Sequence, residues 1–181
     1  MALVFELTID RETARDALRA MLHSIFFHRL FGVVKPTNID FLGITFPAVR
    51  DAETENLVEL AVDHVLRALN AAPAPPTIGS RRQAELEVIF TEKRTKKANW
   101  FNSGGEEEVP WETWTIKVTL ENPQDREMLY EELSMALSKS VMYMIDYTAS
   151  ERGRAAVPLI STATGISPFP IHIRANGQPV T

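Results

Sequence analysis

The sequence predicts an α+β domain, an antiparallel or mixed sheet with helices packed on one face. Three observations lead there. Two segments, 84–94 and 111–121, alternate apolar and polar residues at the period of a half-buried strand. Three others repeat apolar residues at spacings of three and four, as one face of a helix does. The elements follow in the order β-α-β-α-β-loop-β-α-β without an internal repeat, and 181 residues suit a single domain over 1–181 with a sizeable core.

Residues 2–9 form the first strand. Asp10 is placed to cap a helix, with Glu12 in the first turn where the helix dipole favours negative charge. Ala14, Leu18, Met21, Leu22, Ile25 and Phe26 make its apolar face to about Leu30, and Gly32 and Pro36 stop it. The run 38–49 reads as one strand, with Pro47 marking an edge or bulge. A second helix spans 52–70 on Leu57, Leu60, Ala61, His64, Val65, Ala68 and Leu69, and a Pro-rich loop follows at 71–80. Leu86, Val88 and Phe90 point inward from the next strand; after a loop at 95–110, so do Trp114, Ile116, Val118 and Leu120. Asn122 is expected to cap a third helix, with Pro123 at its first position. Leu129, Leu133, Ala136, Leu137, Val141, Met144 and Ile145 carry that helix to about Tyr147. A Pro- and Ser/Thr-rich tail over 148–181 returns to the sheet near 169–175.

Composition narrows the function. Without cysteine there is no thiol catalysis, Cys-ligated zinc or disulfide framework. A net charge of −5 runs against general nucleic-acid binding, which draws on phosphate neutralisation. No secretory h-region is visible, and the longest uncharged stretch, 155–173, is too rich in proline and hydroxyl residues for a spanning helix. A soluble intracellular protein is expected. The eight glycines form neither a Walker loop nor GxGxxG, and no HExxH occurs. His23 and His28, five apart on one helix, face about 140° away from each other and cannot share a metal. His64 reads as a core residue, and Glu131, Glu132 and Glu106–Glu108 read as solvated charge. No enzyme, cofactor or metal is expected.

The informative segment is KRTKKANWFNSGGEEEVPWETW. Lys93, Arg94, Lys96 and Lys97 lead to adjacent Trp100 and Phe101, then to turn formers, three glutamates and Pro110. Adjacent aromatics on a regular strand point to opposite faces. Either the loop folds back over one or both rings, or they form an exposed tip. Exposure forfeits about 1.5–3 kcal/mol for a Phe-sized ring, so an exposed pair calls for a receiving partner. A protein pocket suits it best, since Glu106–Glu108 would repel lipid headgroups and nucleic acid.

This segment resembles the aromatic finger of the autophagy-related protein 101 family, in which a basic stretch, the finger and a Pro-Trp-Glu-x-Trp-Thr strand follow in order. Here the strand is Pro110, Trp111, Glu112, Thr113, Trp114, Thr115. The first helix agrees at Leu22-His23 and His28-Arg29, and DFLGITF fits less tightly. The resemblance spans about 3–147, with an echo at SPFPIHI. It implies a HORMA-like sheet backed by three helices and a non-catalytic scaffold. Such a scaffold pairs with the HORMA domain of autophagy-related protein 13 and stabilises it within the autophagy-initiation kinase complex. By the same resemblance, Trp100 and Phe101 recruit downstream factors, Lys96, Lys97, Pro110 and Trp111 support the finger, and His28 belongs to the partner interface. Many family members place a proline between the two aromatics, whereas here they are adjacent. A cytoplasmic protein recruited to the phagophore assembly site is implied, with membrane association indirect. The alternative is a peripheral membrane module that uses the basic run and the Trp-Phe tip.

Overall fold

A computed structural model describes residues 2–71, 81–95, 105–160 and 167–180. The architecture is α+β, with a five-stranded mixed sheet and a separate two-stranded hairpin. The elements are β1 (Ala2–Ile9), α1 (Ala14–Arg29), β2 (Pro36–Phe41), β3 (Ile44–Val49), α2 (Ala52–Ala71), β4 (Arg81–Thr95), β5 (Glu106–Glu121), α3 (Arg126–Ala149), α4 (Glu151–Ala155), β6 (Ile171–Ala175) and β7 (Gln178–Pro179).

The sheet runs in the order β1-β5-β4-β6-β7. β1 lies parallel to β5, and the other neighbours are antiparallel. Period-two alternation sends Leu3, Phe5, Leu7 and Ile9 into one core with Leu86, Val88, Phe90, Trp114, Ile116 and Val118. The three long helices close that side, α3 packing on β1, α2 on β4 and β6, and α1 between them. The other face carries Val4, Glu6 and Lys117 to solvent. Among the described residues no helix is long and apolar enough to cross a membrane.

The cap position of α1 is held by Thr13 rather than Asp10, which closes the turn before it: the Asp10 carboxylate accepts from the N–H groups of Glu12 and Thr13, and its carbonyl from Ala14 N. Thr13 locks that turn, its hydroxyl accepting from Asp10 N while donating back to the carboxylate.

Four further expectations need correction. The run 38–49 is a hairpin turning at Leu42 and Gly43, whose φ values of 48° and 75° fit the tight two-residue turn that matches strand twist. It packs on α1, where Ser24 donates to the Pro47 carbonyl. The cap of α3 is Asp125, which accepts from Met128 N, not Asn122. The buried stripe of α2 is Val58, Ala61, Val62, Val65 and Leu69; Leu60 is exposed and His64 half-buried, because the packed face is turned from the one expected. The connection placed at 95–110 is shorter, since Glu106 already pairs with Thr95. The tail does return to the sheet, as β6, but first forms α4 and then turns again at Asn176-Gly177 into β7. The Pro-rich loop lies outside the described residues apart from Ala71, which ends α2.

Candidate functional site

β4 and β5 outrun their neighbours. β6 pairs with β4 only over Leu86–Phe90, and β1 pairs with β5 only from Thr113 onward. Beyond them, residues 91–95 and 106–110 continue as a two-stranded ribbon. Thr91 still donates to the Pro170 carbonyl, and the four residues beyond it carry the ribbon about 13 Å past the sheet. Its charges face each other across the ladder, Lys93 opposite Glu108 and Arg94 opposite Glu107. At its end Lys93 lies 4.0 Å from Glu106.

A bulge marks the root. Phe90 pairs with Glu112 but Thr91 pairs with Pro110, so Trp111 is the extra residue. The irregularity turns the Trp111 ring onto Phe90 and Phe169, at centroid distances of 5.6 and 5.3 Å. It also accommodates Pro110, which has no N–H to give the ladder.

Directly inside lies a buried ion pair. Arg29 Nε donates to Glu112 Oε1 at 2.6 Å and Nη2 to Oε2 at 3.0 Å, with the side chains 3% and 0% exposed. Trp114 Nε1 donates to Oε1 at 2.5 Å and the Tyr147 hydroxyl to Oε2 at 2.8 Å. The guanidinium also reaches the Gly153 carbonyl at 3.3 Å and sits 5.4–5.9 Å from the ring centroids of Tyr147, Trp114 and Trp111. Burial, reinforced by the bond to Glu112, pushes the Tyr147 phenol up to about 12, so it stays a donor. One carboxylate thus ties α1, β5 and α3 together, and Arg29 adds α4. Glu108 fixes the ribbon from outside: its Oε2 contacts His172 Nε2 at 2.5 Å and accepts from Thr91 Oγ1 at 3.2 Å, and the bond to His172 holds the Glu108 carboxyl below its usual range.

The family model described as Autophagy-related protein 101 matches residues 6–164. The chain belongs to the autophagy-related protein 101 family. Its similarity to Autophagy-related protein 101 of Schizosaccharomyces pombe is 29% identity over 167 residues, 92% of this chain and 83% of that protein. For the Homo sapiens protein the figures are 23% over 161 residues, 79% and 69%; for that of Arabidopsis thaliana, 26% over 120 residues, 65% and 52%. The family is named for a role in autophagy, not for a reaction.

The strand motif that carries the family likeness is built into the root: Pro110 and Trp111 at the bulge, Glu112 in the ion pair, Trp114 in the core. Trp100, Phe101, Lys96 and Lys97 lie outside the described residues; the ribbon ends at Thr95 and resumes at Glu106 on either side of them. His28 lies on a groove with a volume of ≈ 620 Å³ lined by Phe27, Arg29, Phe31, Ile145, Thr148 and Ala149 among others. Its Nδ1 lies 3.5 Å from Thr148 Oγ1, and its buried Nε2 meets no hydrogen-bonding group among the described residues. Burial, then the charge of Arg29, hold its pKa below the ordinary imidazole value.

The sequence reading missed Arg29 and Glu112. The signal was present: Glu112 shares the inward phase of Trp114, and Arg29 continues the apolar face of α1 from Leu22 and Phe26. Two opposite charges in apolar phase are a buried pair in waiting.

Proposed function

We propose that this chain is a non-catalytic autophagy-initiation scaffold of HORMA type. It pairs with the HORMA domain of autophagy-related protein 13, stabilises it within the autophagy-initiation kinase complex, and recruits downstream factors through Trp100 and Phe101. It acts in the cytoplasm at the phagophore assembly site. The observation that carries this reading is the ribbon, two strands reaching past the sheet from a root tied by a buried ion pair, with the aromatic pair in the sequence between their ends. A recruiting tip gains from a mount whose own base is tied to the fold, and the ribbon root supplies one. Family membership supports the partner, and the groove beside His28 is the surface assigned to it.

The membrane alternative is weaker. Lys93 and Arg94 are answered by Glu106 and Glu92, which lowers the attraction for anionic lipid.

The test is size-exclusion chromatography with light scattering, mixing the chain with the HORMA domain of autophagy-related protein 13 from the same organism. A one-to-one complex is expected, and His28→Ala should weaken it. The double variant Trp100→Ala, Phe101→Ala should keep that complex and lose downstream recruitment in cells. Two separate monomers at micromolar concentration would remove the pairing, and salt-sensitive binding to anionic vesicles, lost with Lys96 and Lys97, would favour the membrane module.

A further inference from the structure

Helix α3 has two apolar faces. Leu129, Leu133, Leu137 and Met144 are buried in the core. Met128, Met135 and Met142 are 57%, 66% and 54% exposed on the opposite side. Seven residues nearly complete two turns, so these three methionines form one row along the helix, about 10.5 Å between neighbours. Isolated surface methionines are ordinary; three in register on one helix are a stripe.

Carboxylates border it. Glu131 and Glu132 stand three and four residues after Met128 and four and three before Met135, adjacent to both on the helix surface. Glu127 precedes the row and Asp146 flanks Met142; all four are exposed. Lys139 is the one cation among the residues flanking the row. Arg126 adds nothing to it, because its guanidinium is held by Glu12 at 2.5 Å and lies 3.7 Å from Asp10.

We propose that this face of α3 docks an amphipathic helix of a partner protein. The partner's apolar stripe lies along Met128, Met135 and Met142, and its Lys or Arg residues meet Glu131, Glu132 and Asp146. A seven-residue apolar period is the seam that a second helix follows at a shallow crossing angle. Methionine, flexible and polarizable, suits such a contact. The flanking charge selects a basic helix and opposes the rivals: a second copy of α3 sets carboxylate rows against each other, and an anionic membrane repels them. The row stops short of the His28 groove, which Ile145 and Ala149 line farther along the helix but none of the three methionines does.

The test uses the full chain with ¹³C-methyl methionine and two synthetic helices of three heptads, each with leucine at the seam, flanked in one by lysine and in the other by glutamate. The lysine helix is expected to shift the methyl signals of Met128, Met135 and Met142 while leaving those of buried Met21 and Met144 in place. It should bind about tenfold tighter than the glutamate helix in low salt, a preference that added salt erodes. Met135→Glu with Met142→Glu should keep the melting temperature and weaken binding about tenfold. Glu131→Lys with Glu132→Lys should reverse the preference. No binding, equal binding of both helices, or shifts confined to other methyls overturns the proposal. So does a dimer of the chain itself, seen by light scattering and dissolved by the two glutamates.

Discussion

Glu112 accepts from three side chains at once, so its charge is balanced only while Arg29, Trp114 and Tyr147 stay together. Glu112→Gln keeps the shape but leaves the Arg29 guanidinium buried without its counter-charge, a loss worth about 3–5 kcal/mol. Denaturant unfolding should show it; a loss under about 1 kcal/mol, the worth of an exposed pair, would mean that water reaches the site. His23 and His28 set a pH dependence. Burial lowers both pKa values, assisted by Arg19 for His23 and Arg29 for His28, so the unfolded chain takes up protons more readily than the folded one. Their contribution is complete above the ordinary imidazole range, drains away as pH falls through it, and levels off below the depressed folded values. The melting temperature should therefore drop between pH 7.5 and 5, and His23→Gln should flatten part of that drop. A melting temperature that held steady over this interval would show both rings accept protons without cost.

Among the elements, the strands were the most readable, because inward residues repeat every second position and Leu86, Val88, Phe90, Trp114, Ile116 and Val118 all fall in that phase. Turns were less so. Leu42-Gly43 hides inside an apolar run, and a leucine at positive φ runs against its usual preference. Asn176-Gly177 was open to reading, since that dipeptide is a strong hairpin signal. The packed face of α2 was ambiguous because Leu57, Val58, Leu60 and Val62 crowd its surface and only burial chooses among them. α4 depends on something composition does not reveal, the close approach of Gly153 to the end of α3. A Cβ there would sit 2.0 Å from the Tyr147 carbonyl oxygen, a backbone atom. Gly153→Ala must push α4 away and strain the Arg29 bond to the Gly153 carbonyl, costing about 1–3 kcal/mol. A thermal melt equal to that of the parent chain would rule out this account.

For the whole molecule, the antiparallel neighbourhood of β4 and β5 could be read from sequence, but the parallel placement of β1 against β5 could not. A strand with one apolar face satisfies that pattern beside several partners, and only the connections through α1, β2, β3, α2 and β4 decide which it meets. The aromatic pair was found by motif, the ion pair behind it only by structure. Fold and tip are therefore separable: replacing Trp100 and Phe101 together by alanine should leave the melting temperature unchanged, because the root of the ribbon closes without them. A clear fall would make those rings part of the core. The way the ribbon is planted has a mechanical side as well. A tug on its far end along the strand axis loads β5 against the eight residues of β1 and β4 against the five of β6, so those ladders are sheared lengthwise and their bonds must give way together. A tug across the sheet would unzip them one after another. A ribbon anchored this way resists tension along one direction only, and it should yield most readily to a twisting or sideways pull.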